Sequence, residues 1–214
     1  IRKAKRAVNL EFYEFLEGRV GDEMVEALAE RAAAGVDVRV LVDALGSFGT
    51  RGQYFDRLRA AGGQMYWYHP VRWNTWPNLN NRSHRKVLIV DGEVGFIGGA
   101  GIADHWLHET DKGPAWRDTV FRVEGDGVGG LISTFTENWL ETSGEILAGA
   151  QQFGFRPTEG GSKSFVVIGT PHGGGTQSRI LFQALIKSAK KTIHITTPYF
   201  LPDRSARAAL IEAV

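Results

Sequence analysis

The sequence predicts an α/β fold, with a mixed sheet flanked by helices. Over residues 7–68, segments of strand character alternate with segments of helical periodicity in the order strand, helix, strand, helix, strand. That order implies right-handed crossovers and a parallel or mixed sheet covered by helices. Residues 86–97 then have the pattern of two short strands joined by a turn. At 214 residues, the chain is long enough for one large core, or for one domain and part of another.

Local signals place the first elements. Residues 1–6 are rich in basic side chains, which suit the C-terminal end of a helix dipole, so we expect the last turn of a helix whose beginning has been cut away. Residues 7–13 alternate as a strand. A helix capped by Asp22 is expected to end at Gly35, before a second strand at 36–42.

A glycine-rich loop follows this second strand, with glycines at positions 46, 49 and 52. It precedes a helix over 54–61 and a third strand over 65–68. Glycines between a strand and a helix can cradle a phosphate at the helix N-terminus. Because this spacing matches neither GxGxxG nor a P-loop with lysine, a simple turn is the favoured interpretation and a phosphate loop is the alternative.

The rest of the chain is organised around the next strand. Four apolar residues at 87–90 predict a buried strand, which ends in a turn at Asp91 and returns at 94–97. Residues two apart on a strand share a face, so His84 and Lys86 project together. An imidazole that can attack or carry a proton then lies beside an ammonium group. The pair suits an anionic electrophile such as a phosphate ester; the alternative is a strand end with two solvated polar residues.

The spacing of these residues is specific. His84, Lys86 and Asp91 form the pattern HxKxxxxD, which is that of the phospholipase D superfamily. Residues 80–86 and 96–104 further resemble its bacterial cardiolipin synthase branch. The resemblance implies a phospholipase D-like lobe in which His84 and Lys86 are catalytic. Asp91 is grouped with them, although it is expected to anchor the hairpin more than to touch substrate.

Three further residues enter through the resemblance. Gly99 falls in the small-residue turn that follows the motif in the family, and Gly101 stands where this branch often has an asparagine that would donate a hydrogen bond near the phosphate. Both are candidate substrate-binding residues. Asp118 lies within 116–125, which also resembles this branch, and the resemblance implies that its carboxylate orients the imidazole of His84. A salt bridge from Asp118 to a nearby arginine is the alternative.

The segment 69–78 directly precedes the motif and is expected to form one wall of the active-site mouth. Its prolines and asparagines exclude regular structure, while its tryptophans resist full exposure. Arg72 and Trp73 are therefore candidate substrate-binding residues. Trp73 suits contact with a lipid headgroup, Trp73 with Arg72 could stack on a base, and packing over the domain's own core is the third alternative.

The second half of the chain begins to repeat the first. Residues 189–195 repeat the passage from helix end to strand at 4–10, which predicts a second lobe. We therefore predict a first lobe at 1–148, a linker at 149–163 and the truncated beginning of a second, similar lobe at 164–214. The remaining predicted elements are a helix over 128–139, a strand over 164–169, a helix over 180–189, a strand over 193–199 and a helix from 205.

Composition excludes several classes of function. The 25 basic and 24 acidic residues give no overall attraction to nucleic acid, and a chain without cysteine has no disulfides or thiolate chemistry. The six histidines form no spaced ligand cluster, so neither a metal nor a cofactor is expected. No apolar run approaches the roughly 18 residues of a membrane-spanning helix. Any contact with a membrane, expected to be the bacterial inner membrane, is therefore from the water side or through segments outside this chain.

The resemblance implies a function: phosphatidyl transfer through a phosphohistidine, in which two phosphatidylglycerol molecules give cardiolipin and glycerol. A second histidine, from the missing second lobe in cis or from a homodimer partner, would protonate the leaving alcohol. Two alternatives stay open. One is a phosphodiesterase or nuclease on the same scaffold, which the near-neutral charge disfavours. The other is a catalytically incomplete binding module.

Overall fold

A six-stranded mixed sheet forms the centre of the fold. The computed structural model describes residues 1–70, 82–109, 113–149, 152–155, 157–162, 164–169, 176–197 and 199–213. The strands are β1 (Ala7–Phe12), β2 (Asp37–Asp43), β3 (Gln64–Tyr68), β4 (Lys86–Val90), β5 (Val94–Ile97) and β6 (Phe121–Glu124). Their order is β3-β2-β1-β4-β5-β6; the first three are parallel, and the pairs from β1–β4 onward are antiparallel. The predicted α/β fold with a mixed sheet is confirmed.

Three helices of the described chain cover both faces of this sheet: α1 (Arg19–Ala33), α2 (Asp56–Ala60) and α3 (Gly127–Ser143). Two further helices, α4 (Thr176–Ser188) and α5 (Arg204–Glu212), follow later in the chain, and short 3₁₀ turns lie at Gly52–Phe55 and Asp104–Trp106. α1 and α2 pack on one face and α3 on the other. None of the helices in the described part of the chain is long and apolar enough to cross a membrane.

The two-residue period of the strands divides the core into two layers. On β1 and β2, the even-numbered apolar residues face α1 and α2, and Leu41 of β2 faces α3. The layer under α1 and α2 contains Val8, Leu10, Val38, Val40, Val25, Leu28, Phe55 and Leu58. The layer under α3 contains Leu41, Val87, Ile89, Val128, Leu131, Ile132, Phe135 and Trp139. Polar residues that point into either layer must therefore find partners there.

The beginning of the chain differs from the prediction in two places. Residues 1–6 form turns instead of the end of a helix. α1 begins after Gly18, so Asp22 lies within its first turn and accepts a hydrogen bond from the Tyr54 hydroxyl at 2.7 Å instead of capping the helix. Asp104, distant in sequence, accepts hydrogen bonds from the first amides of α1, which include that of Val20 at 2.8 Å. Such a cap from elsewhere in the chain leaves no local signal.

Two predicted strands are also absent. Residues 164–169 and the described part of the segment predicted at 193–199 have no strand structure. A strand is stabilised by the hydrogen bonds of a neighbouring strand, and among the described residues these two segments pair with none. Their apolar, β-branched composition is thus not sufficient for strand formation here.

The described chain divides into two compact units, Ile1–Val166 and Val167–Val214. Within the predicted linker, Gln152 is buried in the first unit, where its side-chain oxygen accepts a hydrogen bond from Asn9 at 2.8 Å. In the second unit, α4 packs against α5, and Asp203 caps α5 by accepting from the amide of Ala206 at 2.8 Å. The predicted division into a lobe, a linker and a second lobe remains a prediction.

Asp91 connects the end of β4 to the start of β1. Its carboxylate accepts hydrogen bonds from the amides of Lys5 at 3.0 Å, Arg6 at 2.7 Å and Ala7 at 3.1 Å. The guanidinium of Arg6 in turn donates to the Asp91 carbonyl at 2.6 Å. Asp91 has a φ of 56°, in the left-handed region that Asp and Asn tolerate better than most residues. Asp91 therefore sets where β1 begins relative to β4.

Glu11 is a buried acid in the middle of the sheet. It lies on β1, is 1% exposed, and faces the layer under α3. Burial, the largest effect, raises the pKa of Glu11 from 4.5 to about 7, although hydrogen bonds from Ser83 and Asn138 oppose this. The fold thus favours the neutral carboxylic acid.

We expect Asp91→Ala to lower the free energy of unfolding by about 2 kcal/mol, because the backbone amides at the start of β1 lose the charged acceptor of their hydrogen bonds. Asp91→Asn, which keeps one carbonyl oxygen and tolerates the left-handed backbone, should lose less. Chemical denaturation measures both changes. Glu23→Ala, on the exposed side of α1, is the control and should change stability by less than about 0.5 kcal/mol. Equal stabilities of the Asp91→Ala and Glu23→Ala variants would contradict the anchoring role.

We expect Glu11→Gln to change how stability depends on pH. Because the pKa of Glu11 is higher in the fold than in the unfolded chain, its stabilising effect is complete below about pH 4.5 and is lost as pH rises through about 7. A shift of this size corresponds to about 3 kcal/mol. Denaturation between pH 4 and 8 should therefore show a steeper loss of stability for the natural protein than for Glu11→Gln. Parallel pH profiles of the two proteins would rule out this titration.

Candidate active site

The strand pairing brings the motif to one edge of the sheet. In the antiparallel β1–β4 pair, Phe12 lies opposite Lys86, and the next amide along, that of Tyr13, donates to the carbonyl of Arg85 at 3.0 Å. The start of β4 therefore lies at the carboxyl end of β1, the edge at which β2 and β3 also end. Open α/β sheets bind ligands at this edge.

His84 and Lys86 lie side by side at this edge. The Lys86 ammonium Nζ lies 3.2 Å from Nδ1 of His84 and donates to the His84 carbonyl at 3.1 Å. The ring of Tyr13 packs against the imidazole, with centroids 4.4 Å apart, and the ammonium lies 5.2 Å from the centre of the Tyr13 ring. Lys86 is buried and His84 is exposed. The imidazole is thus accessible to a substrate, whereas the ammonium group beside it is buried.

This environment keeps the imidazole neutral. Partial burial, followed by the positive charge of Lys86, lowers the pKa of His84 below 6.5, and the carboxylate of Asp43 opposes the shift. Burial also lowers the pKa of Lys86, against the raising effects of Glu14, Asp118 and Asp43. A neutral imidazole at pH 7 has one unprotonated nitrogen, which a nucleophile or a base requires.

Asp118 occupies a different position from the one expected. Its carboxylate lies against Gly99, where a side chain would collide with it, and accepts from the amide of Thr119 at 2.5 Å. It is close enough to Lys86 to oppose the lowering of that residue's pKa, but it forms no hydrogen bond with the imidazole of His84. The expected hydrogen bond is therefore absent, because Nδ1 of His84 contacts the ammonium of Lys86 instead. The orienting role of Asp118 stays a prediction.

The other predicted site residues separate into three groups. Asp91 lies at the far end of β4, about 17 Å along the strand from Lys86, where its carboxylate binds the amides at the start of β1. Its catalytic role stays a prediction. Gly101 lies at the site: a Cβ at this position would collide with the side chain of Glu14. Arg72 and Trp73 lie outside the described residues. Substrate binding by the glycines stays a prediction.

Two carboxylates that sequence reasoning missed help to build the site. Asp43, at the end of β2, has a fully buried side chain and accepts from the amides of Leu45 at 2.8 Å, Gly46 at 3.0 Å and Ser83 at 3.0 Å. The glycine-rich loop after β2 therefore folds around a carboxylate of the chain itself. An acid at the carboxyl end of a buried parallel strand was the available signal for Asp43.

Glu14 is the second missed carboxylate. It accepts from the indole of Trp106 at 2.8 Å and lies 3.4 Å from Nε2 of His105. It lies two residues after the end of β1, and its negative charge is the strongest of the effects that oppose the lowering of the Lys86 pKa. No local pattern marks Glu14, since its neighbours at the site come from more than 70 residues later in the sequence.

Comparison with known proteins identifies relatives that share nearly the whole chain. The chain is 35% identical to a cardiolipin synthase of Geobacillus thermodenitrificans over 213 residues, which are 98% of this chain and 42% of that protein. It is 34% identical to cardiolipin synthase 2 of Bacillus cereus over 98% of this chain and 41% of that protein. The chain therefore spans about two fifths of the length of these relatives.

A comparison with solved structures and a match to a family model are consistent with these relatives. NucT from Helicobacter pylori superposes with a TM-score of 0.51 at 15% identity, over 66% of this chain and 83% of that one, which is a likeness of fold. Residues 1–110 match the family model described as the PLD-like domain of cardiolipin synthase. These residues include β1 to β5 together with His84 and Lys86. The chain belongs to the cardiolipin synthase family of phospholipase D-like domains.

Proposed function

We propose that this chain carries one half of the active site of a phosphatidyltransferase that forms cardiolipin from phosphatidylglycerol. The observation that carries the proposal is the exposed, neutral imidazole of His84 beside the buried ammonium of Lys86. A nucleophile and a fixed positive charge together suit attack on a phosphodiester. The cardiolipin synthases to which the chain is similar supply the substrate class.

In the first step, a ring nitrogen of His84 forms a bond to phosphorus while the bond from phosphorus to the glycerol headgroup breaks. The departing oxygen takes a proton from an acid, and the product is a phosphatidyl-histidine. In the second step, a hydroxyl of another phosphatidylglycerol attacks phosphorus, loses its proton to the same group, and releases His84. Dividing the transfer in this way replaces one difficult displacement with two easier ones.

Lys86 and Asp118 change partners when a phosphate binds. In this structure, the ammonium of Lys86 donates to Nδ1 of His84, which leaves the ring proton on Nε2. A bound phosphate offers the ammonium a stronger, charged acceptor. Nδ1 is then free to carry the proton and donate it to the carboxylate of Asp118, so that Nε2 becomes the nucleophile. Catalytic hydrogen bonds often form only in the complex with substrate.

The acid for the leaving group comes from a second site half. The sequence contains a single HxKxxxxD motif, and a facing histidine and lysine would come from a second lobe in cis or from a second copy of the chain. A membrane surface presents the lipid substrate. The alternatives are a phosphodiesterase or nuclease, and a binding module; the resemblance to named synthases over nearly the whole chain favours lipid transfer over both.

The test uses the natural protein that carries this chain, with vesicles of phosphatidylglycerol. We expect cardiolipin and glycerol in equal amounts and no cleavage of DNA supplied in parallel. Cleavage of DNA without lipid transfer would favour the nuclease, and binding of lipid without any product would favour the binding module.

We expect His84→Ala to abolish transfer and leave the fold intact, because His84 is exposed at the end of the sheet. Lys86→Ala should lower kcat by about 10²–10³-fold, since a charged donor to the transition state is lost. His194→Ala and Lys3→Ala, both at exposed positions, are the matched controls and should keep full activity. Transfer at the natural rate by His84→Ala would refute the nucleophile.

We also expect residues 1–214 alone to react without turning over, because a single motif supplies the nucleophile but not the acid. An activated phosphodiester with a good leaving group needs no acid, so it should label His84 with about one equivalent. Mass spectrometry of the labelled peptide measures this. Many turnovers of phosphatidylglycerol by this chain would show that one motif, or two copies of it in a dimer, is sufficient.

A further inference from the structure

Ser83, the residue before His84, is held between two buried acidic side chains. Its hydroxyl donates to Oε1 of Glu11, and its amide donates to Oδ2 of Asp43 at 3.0 Å. The side chain of Asn138, on α3, donates to the same Oε1 at 2.6 Å and contacts the Ser83 hydroxyl at 3.2 Å. All of these residues are buried, whereas His84 itself is exposed.

Side chains alternate between the two faces of the sheet along residues 83–86, and this alternation connects the arrangement to His84. Ser83 and Arg85 face α3, where Arg85 donates to the Thr134 carbonyl at 2.7 Å. His84 and Lys86 contact Tyr13 instead. His84 is therefore an exposed residue between two neighbours whose side chains are fixed on the sheet face that α3 covers. Holding Ser83 at both its amide and its hydroxyl restricts the backbone from which the imidazole projects.

A structural role alone does not require a carboxylate at position 11. Oε2 of Glu11 has no hydrogen-bond partner, so the residue retains an unsatisfied buried oxygen. An apolar side chain on this strand would avoid that cost. The other oxygen, Oε1, accepts hydrogen bonds from both Ser83 and Asn138. Glu11 thus brings the side chains of Ser83 and Asn138 together next to His84.

We propose that Glu11 and Ser83 are positioning residues for His84. Glu11 accepts the hydrogen bond of the Ser83 hydroxyl, and the fixed Ser83 keeps the imidazole of His84 in its place beside Lys86. This inference rests on the proposed function for its effect on rate. Its geometric part, the fixed imidazole, is independent of any reaction.

The rate test compares variants of the natural protein in the transfer of phosphatidylglycerol to cardiolipin. Ser83→Ala and Glu11→Leu should each lower kcat about tenfold, since a small misplacement of a reacting group is costly, and should leave KM within about twofold. Glu11→Gln keeps an oxygen that accepts from Ser83, so it should recover most of the rate that Glu11→Leu loses. Thr134→Val is the matched control, because the Thr134 hydroxyl is also buried in α3 but donates only to the Gly130 carbonyl, at 2.8 Å.

A second readout follows the imidazole directly. NMR titration of residues 1–214 gives the pKa of His84, which burial and Lys86 lower and Asp43 raises. In Ser83→Ala, we expect the ring to become more solvated and its pKa to rise toward the ordinary value, with no such change in Thr134→Val. Thermal unfolding of each variant separates this effect from a general loss of stability.

The outcomes distinguish this inference from the function on which it rests. If Ser83→Ala has the kcat and the His84 pKa of Thr134→Val, the positioning role is wrong, whatever the activity is. If His84→Ala remains active, the proposed function fails, and the NMR titration alone still decides whether Ser83 fixes the imidazole. A lowered kcat together with a raised His84 pKa in Ser83→Ala supports both.

Discussion

The antiparallel pairing of β1 with β4 is the constraint on which the rest of the structure depends. It brings the first strand of the fold beside the strand of the motif, with Phe12 opposite Lys86. At the opposite end of the pair, Asp91 accepts from the amides at the start of β1. Because a shift by one residue would turn every side chain to the other face, this register decides both which residues are buried and which face the site.

The same pairing determines the electrostatics of the site. Lys86 is buried at the edge of the sheet, and an ammonium group in such a place is costly without compensating charge. Compensation comes from Glu14 directly after β1, from Asp118 before β6 and from Asp43 at the end of β2. These acids lie near the ammonium without forming a close ion pair with it. In the proposed function, this leaves the charge of Lys86 available to a phosphate.

Buried polar groups on the α3 side of the sheet lie directly beside the exposed groups at its edge. Glu11, Ser83 and Asn138 form a connected set of hydrogen bonds immediately behind the motif. Such networks impose one arrangement on the groups that they join, at a cost in stability. His84 thus has buried, hydrogen-bonded side chains on one side and solvent on the other, which suits the nucleophile of the proposed function.

The sequence by itself determined strands β1 to β5, the nearness of His84 to Lys86 and the family. It did not predict β6, which pairs with β5 at the edge of the sheet. These depend on periodicity, on two-residue spacing along a strand and on a short motif, all of which are local. Only the tertiary structure decided the positions of Glu11, Glu14, Asp43 and Asp118 around the motif. It also decided that Asp104 caps α1 and that residues 164–169 are not a strand. Each of these outcomes depends on partners far away in the sequence, and no local pattern of residues specifies which distant groups the folded chain will bring together.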